Sequence, residues 1–281
     1  MQALWMLVAV LMFSWMGALV KLANAEASLG QILFFRGLPS ALLLVLWAQT
    51  HGMSLRPLSW RMHGFRNLSG VGSMSFSFYA IGHLPLGTAV TLNYTAPLFI
   101  AGWLLFTQPR PDFWRVLAVL LGFLGIVAVL RPAFSMDQWL PATLGLISGA
   151  CLASALLQVK TLSQAGEQEW RIVLYFSVSI MLAGLLLMLL EGWTALSALT
   201  WLLLLGIGLC GLVGQFALTR AFGQGSPWLC AVLQYVNIPL SVGLGYWLWA
   251  DRPDGLAWAG MGVIIMAGLL STLRTLYMKP R

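Results

Sequence analysis

Charge is what this sequence has least of. Only 8% of its 281 residues are Asp, Glu, Lys or Arg, against 60% hydrophobic residues. A soluble domain carries about a quarter charged residues, so this composition cannot cover a surface that faces water. The solvent it suits is lipid, which about 20 apolar residues cross as a helix. Carboxylates are scarcer still, eight against fifteen Lys and Arg. Glu26, Asp112, Asp137, Glu167, Glu169, Glu191, Asp251 and Asp254 all fall at span ends or in loops. None sits at mid-membrane, where a proton relay needs an acid, which favours facilitated diffusion or exchange over proton coupling.

Cysteine is nearly absent as well. Cys151, Cys210 and Cys230 lie in apolar stretches with no paired spacing, which excludes a disulfide framework and a cysteine metal site. His51, His63 and His83 fall near the membrane surfaces without ligand spacing. There is no phosphate loop, His-Glu-x-x-His or Cys-x-x-Cys, and no intramembrane nucleophile or acid pair. The reading is therefore not an enzyme, with no cofactor and no metal. The net charge of +7 contains no basic run interleaved with aromatics, so it orients spans and does not bind nucleic acid. The partners expected are the lipid bilayer and a small organic solute.

What is present in abundance is apolar sequence. Charges, Pro and Gly divide it into ten segments, near 3–22, 30–49, 66–83, 86–106, 113–130, 140–160, 172–190, 197–219, 226–248 and 257–276. With both termini inside, eleven basic residues fall on the inner side, Arg66 among them, and only Lys21, Arg131 and Arg252 on the outer. That is the bias of the positive-inside rule. The fold expected is an all-α integral membrane protein with both termini cytoplasmic.

Two phrases, LNYTAPLF at 92–99 and LQYVNIPLS at 233–241, repeat across half the chain. Pro97 pairs with Pro239, and Arg110-Pro111-Asp112 with Arg252-Pro253-Asp254, each at an offset of 142. Ten helices thus become two five-helix repeats, residues 1–134 and 135–281, and an odd number of spans inverts the second. Inverted repeats characterise many secondary transporters, which rock one half against the other around a midplane site.

Three stretches resemble the drug/metabolite transporter superfamily, specifically its EamA-type ten-helix members. They are ILFFRGLPSALLLV, YAIGHLPLGTAVTLNYTAPLF and ALTRAFGQGSPWLCAVLQYVNIPLS. The first two look like the branch that includes S-adenosylmethionine-type carriers. The resemblance implies a multi-pass protein of the bacterial inner membrane that transports a metabolite, amino-acid-like, nucleoside-like or other. One departure stands out. Family members often carry Gly-Glu where spans four and nine end, and here the sequence reads Thr107-Gln108-Pro109 and Ala250-Asp251-Arg252.

Candidate site residues follow from what hydrocarbon disfavours. A helix-interior proline removes one hydrogen bond and pushes aside the carbonyl four residues back. Pro97 would free the Asn93 carbonyl and Pro239 that of Tyr235, making both prolines hinges or gates beside polar groups. Gln234, Asn237 and Ser241 share a helix face, and Asn93 and Tyr94 flank the face of Thr88, Thr91 and Thr95. Arg36, inside span two without an acid at helical spacing, offers a counter-charge for a carboxylate or phosphate, or else snorkels outward. The substrate-binding set is Arg36, Asn93, Tyr94, Gln234, Tyr235 and Asn237, then Tyr79, Trp15 and Gln215, with Trp15 and Tyr79 as stacking surfaces. Gly206, Gly208, Gly211 and Gly214, with Gly122 and Gly125, permit close helix approach. The function expected is alternating-access transport through a central cavity; an integral-membrane enzyme or a non-transporting scaffold is the alternative.

Overall fold

A computed structural model describes residues 2–107, 113–130, 138–224, 230 and 233–277. The Arg110-Pro111-Asp112 copy and Arg131, Asp137, Lys279 and Arg281, expected in loops or at the end, lie outside them. The elements in chain order are α1 (Gln2–Ala23), α2 (Leu29–Thr50), α3 (Trp60–His83), α4 (Leu86–Asn93), α5 (Ala96–Thr107), α6 (Phe113–Leu130), α7 (Trp139–Gln164), α8 (Glu169–Glu191), α9 (Ala198–Gln224), α10 (Asn237–Trp249) and α11 (Gly255–Tyr277). No strand occurs among the described residues. Among the described residues, five helices are long and apolar enough to cross a membrane, within α1, α2, α7, α8 and α9.

Local chemistry sets the ends. Ser28 starts α2 with a capping box: its hydroxyl accepts from the Gln31 N–H, and the Gln31 side chain accepts from the Ser28 N–H at 2.8 Å. Ser59 caps α3 by accepting from the Met62 N–H. That cap starts α3 six residues before the apolar run expected at 66–83, so Arg66 lies nearly two turns inside a helix and not in an inner loop.

The expected fourth span is broken. Its helix stops at Asn93, turns through Tyr94 and Thr95, and resumes at Ala96. Pro97 is then the second residue of a new helix, where a backbone N–H has no partner to lose. The second phrase turns at Tyr235 and Val236, and α10 begins at Asn237. Here the freed carbonyl expected at Tyr235 is taken, because the Ile238 N–H donates to it at 3.1 Å. The chain tightens into a short turn in place of leaving the group open. At the first break α7 covers the exposed backbone. A Cβ on Gly149 would stand 2.8 Å from the Leu92 carbonyl and 3.0 Å from that of Asn93.

Helices α2 and α8, α1 and α9, α3 and α7, and α6 and α11 pack pairwise, and α4 lies against α10 and α7. Between apolar helices in lipid, close van der Waals contact takes the place of a hydrophobic drive. Two seams show it: a Cβ on Gly30 would meet the Gly184 carbonyl at 3.0 Å, and one on Gly184 would meet Gly30's at 2.7 Å. Gly125 and Gly260 face each other the same way across α6 and α11. Outward faces are apolar too, as at Leu42, Leu43 and Leu46 of α2 and Leu186, Leu189 and Leu190 of α8. A helix apolar all round suits lipid.

Two polar clasps sit at opposite ends of α3, a helix about 36 Å long at 1.5 Å per residue. At its N-terminal end the buried Glu167, between α7 and α8, accepts from the Leu58 N–H at 2.7 Å and from Arg171 at 3.0 Å. The oxygen that accepts from Leu58 also lies 3.1 Å from His63 Nε2. Beyond the C-terminal end of α3, Lys21 pairs with Asp251 at 2.6 Å and lies over the Trp249 ring. The Leu86 N–H points at the same carboxylate. Burial pushes the Glu167 carboxyl up, but the hydrogen bonds from Leu58, His63, Arg171 and Gln168 outweigh it and hold the group below its ordinary 4.5.

Two outcomes are expected. Gly184→Val drives a side chain into α2 backbone that cannot yield, exceeding the ~1–3 kcal/mol of ordinary overpacking. The same change at Gly262, where a Cβ meets nothing within 4 Å, is tolerated; size-exclusion profiles in detergent compare the two. A lowered Glu167 pKa means its stabilisation is present above pH 4.5 and lost as pH falls below that. Thermal midpoints therefore fall on acidification, and Glu167→Gln flattens that dependence.

Candidate functional site

A cavity of about 100 Å³ lies among α1, α3, α4, α7, α8, α9 and the second break. Phe13, Met16, Met74, Phe78 and Leu156 form its apolar wall. The polar lining comes from Arg66, Ser73 and Ser77 of α3, Asn93 and Tyr94 of the first break, Gln215 of α9, and Gln234 and Asn237 of the second break. An apolar cavity with a few convergent polar groups is the usual form of a small-molecule site.

The breaks deliver these groups because a turn within a span releases side chains that a straight helix would spread around its axis. The two repeated phrases meet directly: the Asn237 side-chain amide donates to the Tyr94 hydroxyl at 2.9 Å. The Asn237 carbonyl oxygen accepts from Ser14 at 3.1 Å and from Ser241 at 2.9 Å. On the other side the Asn93 amide donates to Ser148 at 2.8 Å and reaches Ser73 at 3.4 Å. Each asparagine is thus held by a serine from a helix distant in sequence. The Gln215 amide nitrogen is buried with no protein partner, which leaves a donor for a solute.

Five expected residues line the cavity: Asn93, Tyr94, Gln215, Gln234 and Asn237. The other four are placed elsewhere. Arg36 is fully buried beside the ring of Phe176, outside the lining. Tyr235 is turned against Gly268 of α11. Tyr79 stacks on His83, and Trp15 is 45% exposed on the outer face of α1. Helical phase explains the last: Trp15 sits between Ser14 and Met16, which face inward. Pro97 is buried, whereas Pro239 borders a separate shallow groove with Tyr246 and Trp258.

Arg66, Gly70, Ser73 and Ser77 were missed as a group, and all four line the cavity. Their spacing of four, three and four residues is one helix face, a signal present in the sequence once α3 is started at its true cap.

Similarity to known proteins agrees with this architecture. Residues 1–131 match the EamA-like transporter family. The pseudopaline exporter of Pseudomonas aeruginosa is 34% identical over 270 residues, covering 94% of this chain and 92% of that protein. A riboflavin transporter of Vibrio cholerae is 28% identical over 280 residues, with 94% and 90% covered. An S-adenosylmethionine uptake transporter of Rickettsia felis is 23% identical over 267 residues, with the same shares covered. One crystal structure superposes with a TM-score of 0.68 at 18% identity, over 99% of this chain and 98% of its own, and so shares the fold. With a relative this similar along nearly its whole length, the chain is a multi-pass membrane protein and belongs to the EamA-like transporter family.

Proposed function

We propose that the chain is a secondary transporter that carries a small organic metabolite across the bacterial inner membrane by exposing the cavity to each side in turn. The observation that carries this reading is the meeting of the two broken phrases at one cavity, joined by the Asn237–Tyr94 hydrogen bond. Relatives named as carriers of pseudopaline, riboflavin and S-adenosylmethionine support an organic cargo. Asn93, Tyr94, Gln215, Gln234 and Asn237 would contact it.

The architecture we infer is ten spans in two inverted five-helix halves, 1–134 and 135–281, with both termini cytoplasmic. Exchanging the halves turns the α1–α9 packing into α7–α3 and leaves α2–α8 and α6–α11 paired. The serine–asparagine contacts exchange too: Ser14 of the first half holds Asn237 of the second, and Ser148 of the second holds Asn93 of the first. Both observations support the repeat.

Each clasp joins one half to the other, Lys21 to Asp251 and His63 to Glu167. In alternating access the two clasps would open in turn, and the hinges at Tyr94–Ala96 and Tyr235–Asn237 would absorb the motion. Asp251 takes up a bridging role at the end of span nine, where related sequences often carry a glutamate.

Proteoliposome uptake of candidate metabolites, with and without counter-substrate or a pH gradient, tests the reading. Saturable uptake is expected, and Asn237→Ala lowers it about tenfold, the weight of hydrogen bonds lost at a buried site. Metabolites converted chemically without crossing, or no flux for any solute, would sink it. Alternation has its own test, in a background with Cys151, Cys210 and Cys230 changed to Ser. A cysteine at Ser77 should react faster with an impermeant thiol reagent from the outer side in Asp251→Asn, and from the inner side in His63→Ala. Equal effects from both sides would reject the two-clasp cycle.

A further inference from the structure

We propose that Arg66, backed by Arg36 at the same Phe176 ring, forms an anion-binding end of the cavity, and that the cargo carries a carboxylate or phosphate seated there. The word cargo rests on the transport reading above; the anion site itself does not.

Two guanidiniums crowd one phenyl ring. Arg66 Cζ lies 4.0 Å and Arg36 Cζ 5.7 Å from the Phe176 centroid. Arg36 is 0% exposed and Arg66 3%. Arg36 Nε, Nη1 and Nη2 and Arg66 Nε and Nη1 have no hydrogen-bond partner. The fold makes room for both, since a Cβ on Gly211 would collide with the Arg36 guanidinium and one on Gly70 with Arg66 and Phe176.

Every described carboxylate is engaged elsewhere. Glu26 accepts from Ser197 and Thr200, Glu191 from the Gly30 N–H, and Asp254 from the Ala257 N–H. Glu169 lies by Arg220, while Glu167 and Asp251 hold the clasps. Among the described residues, no acid is left to neutralise the pair. A buried charge needs compensation, and a ring face supplies only part of it. A guanidinium fork matches a carboxylate or phosphate bidentately, so an entering anion would supply the rest.

The two arginines differ in role. Arg66 lines the cavity and offers the direct contact. Arg36 does not line it and adds a second positive charge beside Phe176, where a low dielectric lets it act. Ser73 and Ser77 continue the Arg66 stripe along α3, so the organic remainder of the anion would run toward them and the amides of the two breaks. The paired charges also repel cations.

The test uses the purified full chain in detergent at constant ionic strength. Thermal unfolding is followed with glutamate against glutamine, succinate against succinamide, and inorganic phosphate and chloride. At least one organic acid, or inorganic phosphate, should stabilise the protein while the amides and chloride do not. Arg66→Gln should abolish that shift, yet unfold no lower than wild type without probe, since it removes an uncompensated buried charge. Arg66→Lys should retain weaker binding, with an apparent Kd raised about tenfold by loss of the fork, and Arg36→Gln should weaken the shift without abolishing it. The proposal is overturned if neither an organic acid nor phosphate shifts the midpoint, if amides or chloride shift it equally, or if Arg66→Gln keeps the shift. Flux of a neutral solute that depends on Asn237 but not Arg66 would reject the anion site and leave transport standing. Acid binding without flux of any solute would do the reverse.

Discussion

Inside hydrocarbon no water completes a backbone hydrogen bond, so a helix may break there only where protein supplies the missing partners. Both breaks in this chain obey that constraint by local means. The Thr95 hydroxyl donates to the Leu92 carbonyl at 2.7 Å, and the Leu98 N–H reaches the Thr95 carbonyl at 2.9 Å. At the second break the Ile238 N–H takes the Tyr235 carbonyl and the Leu240 N–H that of Val236. The prolines sit just after each turn, where a missing N–H does least harm. They mark the breaks, and at the second the carbonyl four residues before the proline is taken by a turn rather than left open.

From that constraint the site follows. A break needs covering by a neighbouring helix, and the cover must come close, which accounts for Gly145, Ser148 and Gly149 on α7 facing Leu92 and Thr95. The same small face carries the hydroxyl that orients Asn93. Sealing the backbone and positioning a cavity-lining amide are thus one packing event. Ser14 of α1 treats Asn237 in the same way. Scarcity of charge follows as well: with the six described carboxylates engaged in clasps, caps and the Glu169–Arg220 pair, the middle of the bundle holds, among the described residues, neutral donors and the arginine pair.

The membrane class, most helix limits and the two repeated phrases were legible in composition and hydropathy. The break was legible in kind from Pro97 and Pro239, but not its geometry, because hydropathy runs smoothly from Leu86 to Phe106 through Tyr94 and Thr95. Arg66 was obscured by the same measure. With Arg61, His63 and Asn67 nearby, the first turns of α3 read as a polar loop, and only the Ser59 cap shows that the helix already runs there. Trp15 and Tyr235 were misdirected for a different reason. An aromatic at mid-span satisfies hydropathy whichever way it points, and only contacts with distant segments decide its direction: Gly268 for Tyr235, and for Trp15 the Ser14–Asn237 hydrogen bond that turns the preceding residue inward.

The offset that pairs Pro97 with Pro239 also separates fold from cargo. Advanced by 142 residues, Ser73 falls on Gln215, and both line the cavity. Advanced equally, Arg66 falls on Gly208, whose Cβ position is already filled by Pro39 and the Phe35 carbonyl. A guanidinium could not occupy that second position without parting α2 from α9. Taken helix by helix, the packed pairs match across the two halves and each half supplies a serine to an asparagine of the other, while the positive end of the cavity exists once. A symmetric cavity would hold a solute equally well in two orientations related by the exchange of halves. A single arginine pair removes that degeneracy, since an anion fixed on Arg66 orients its remainder toward Ser73, Asn93 and Asn237 in one way only.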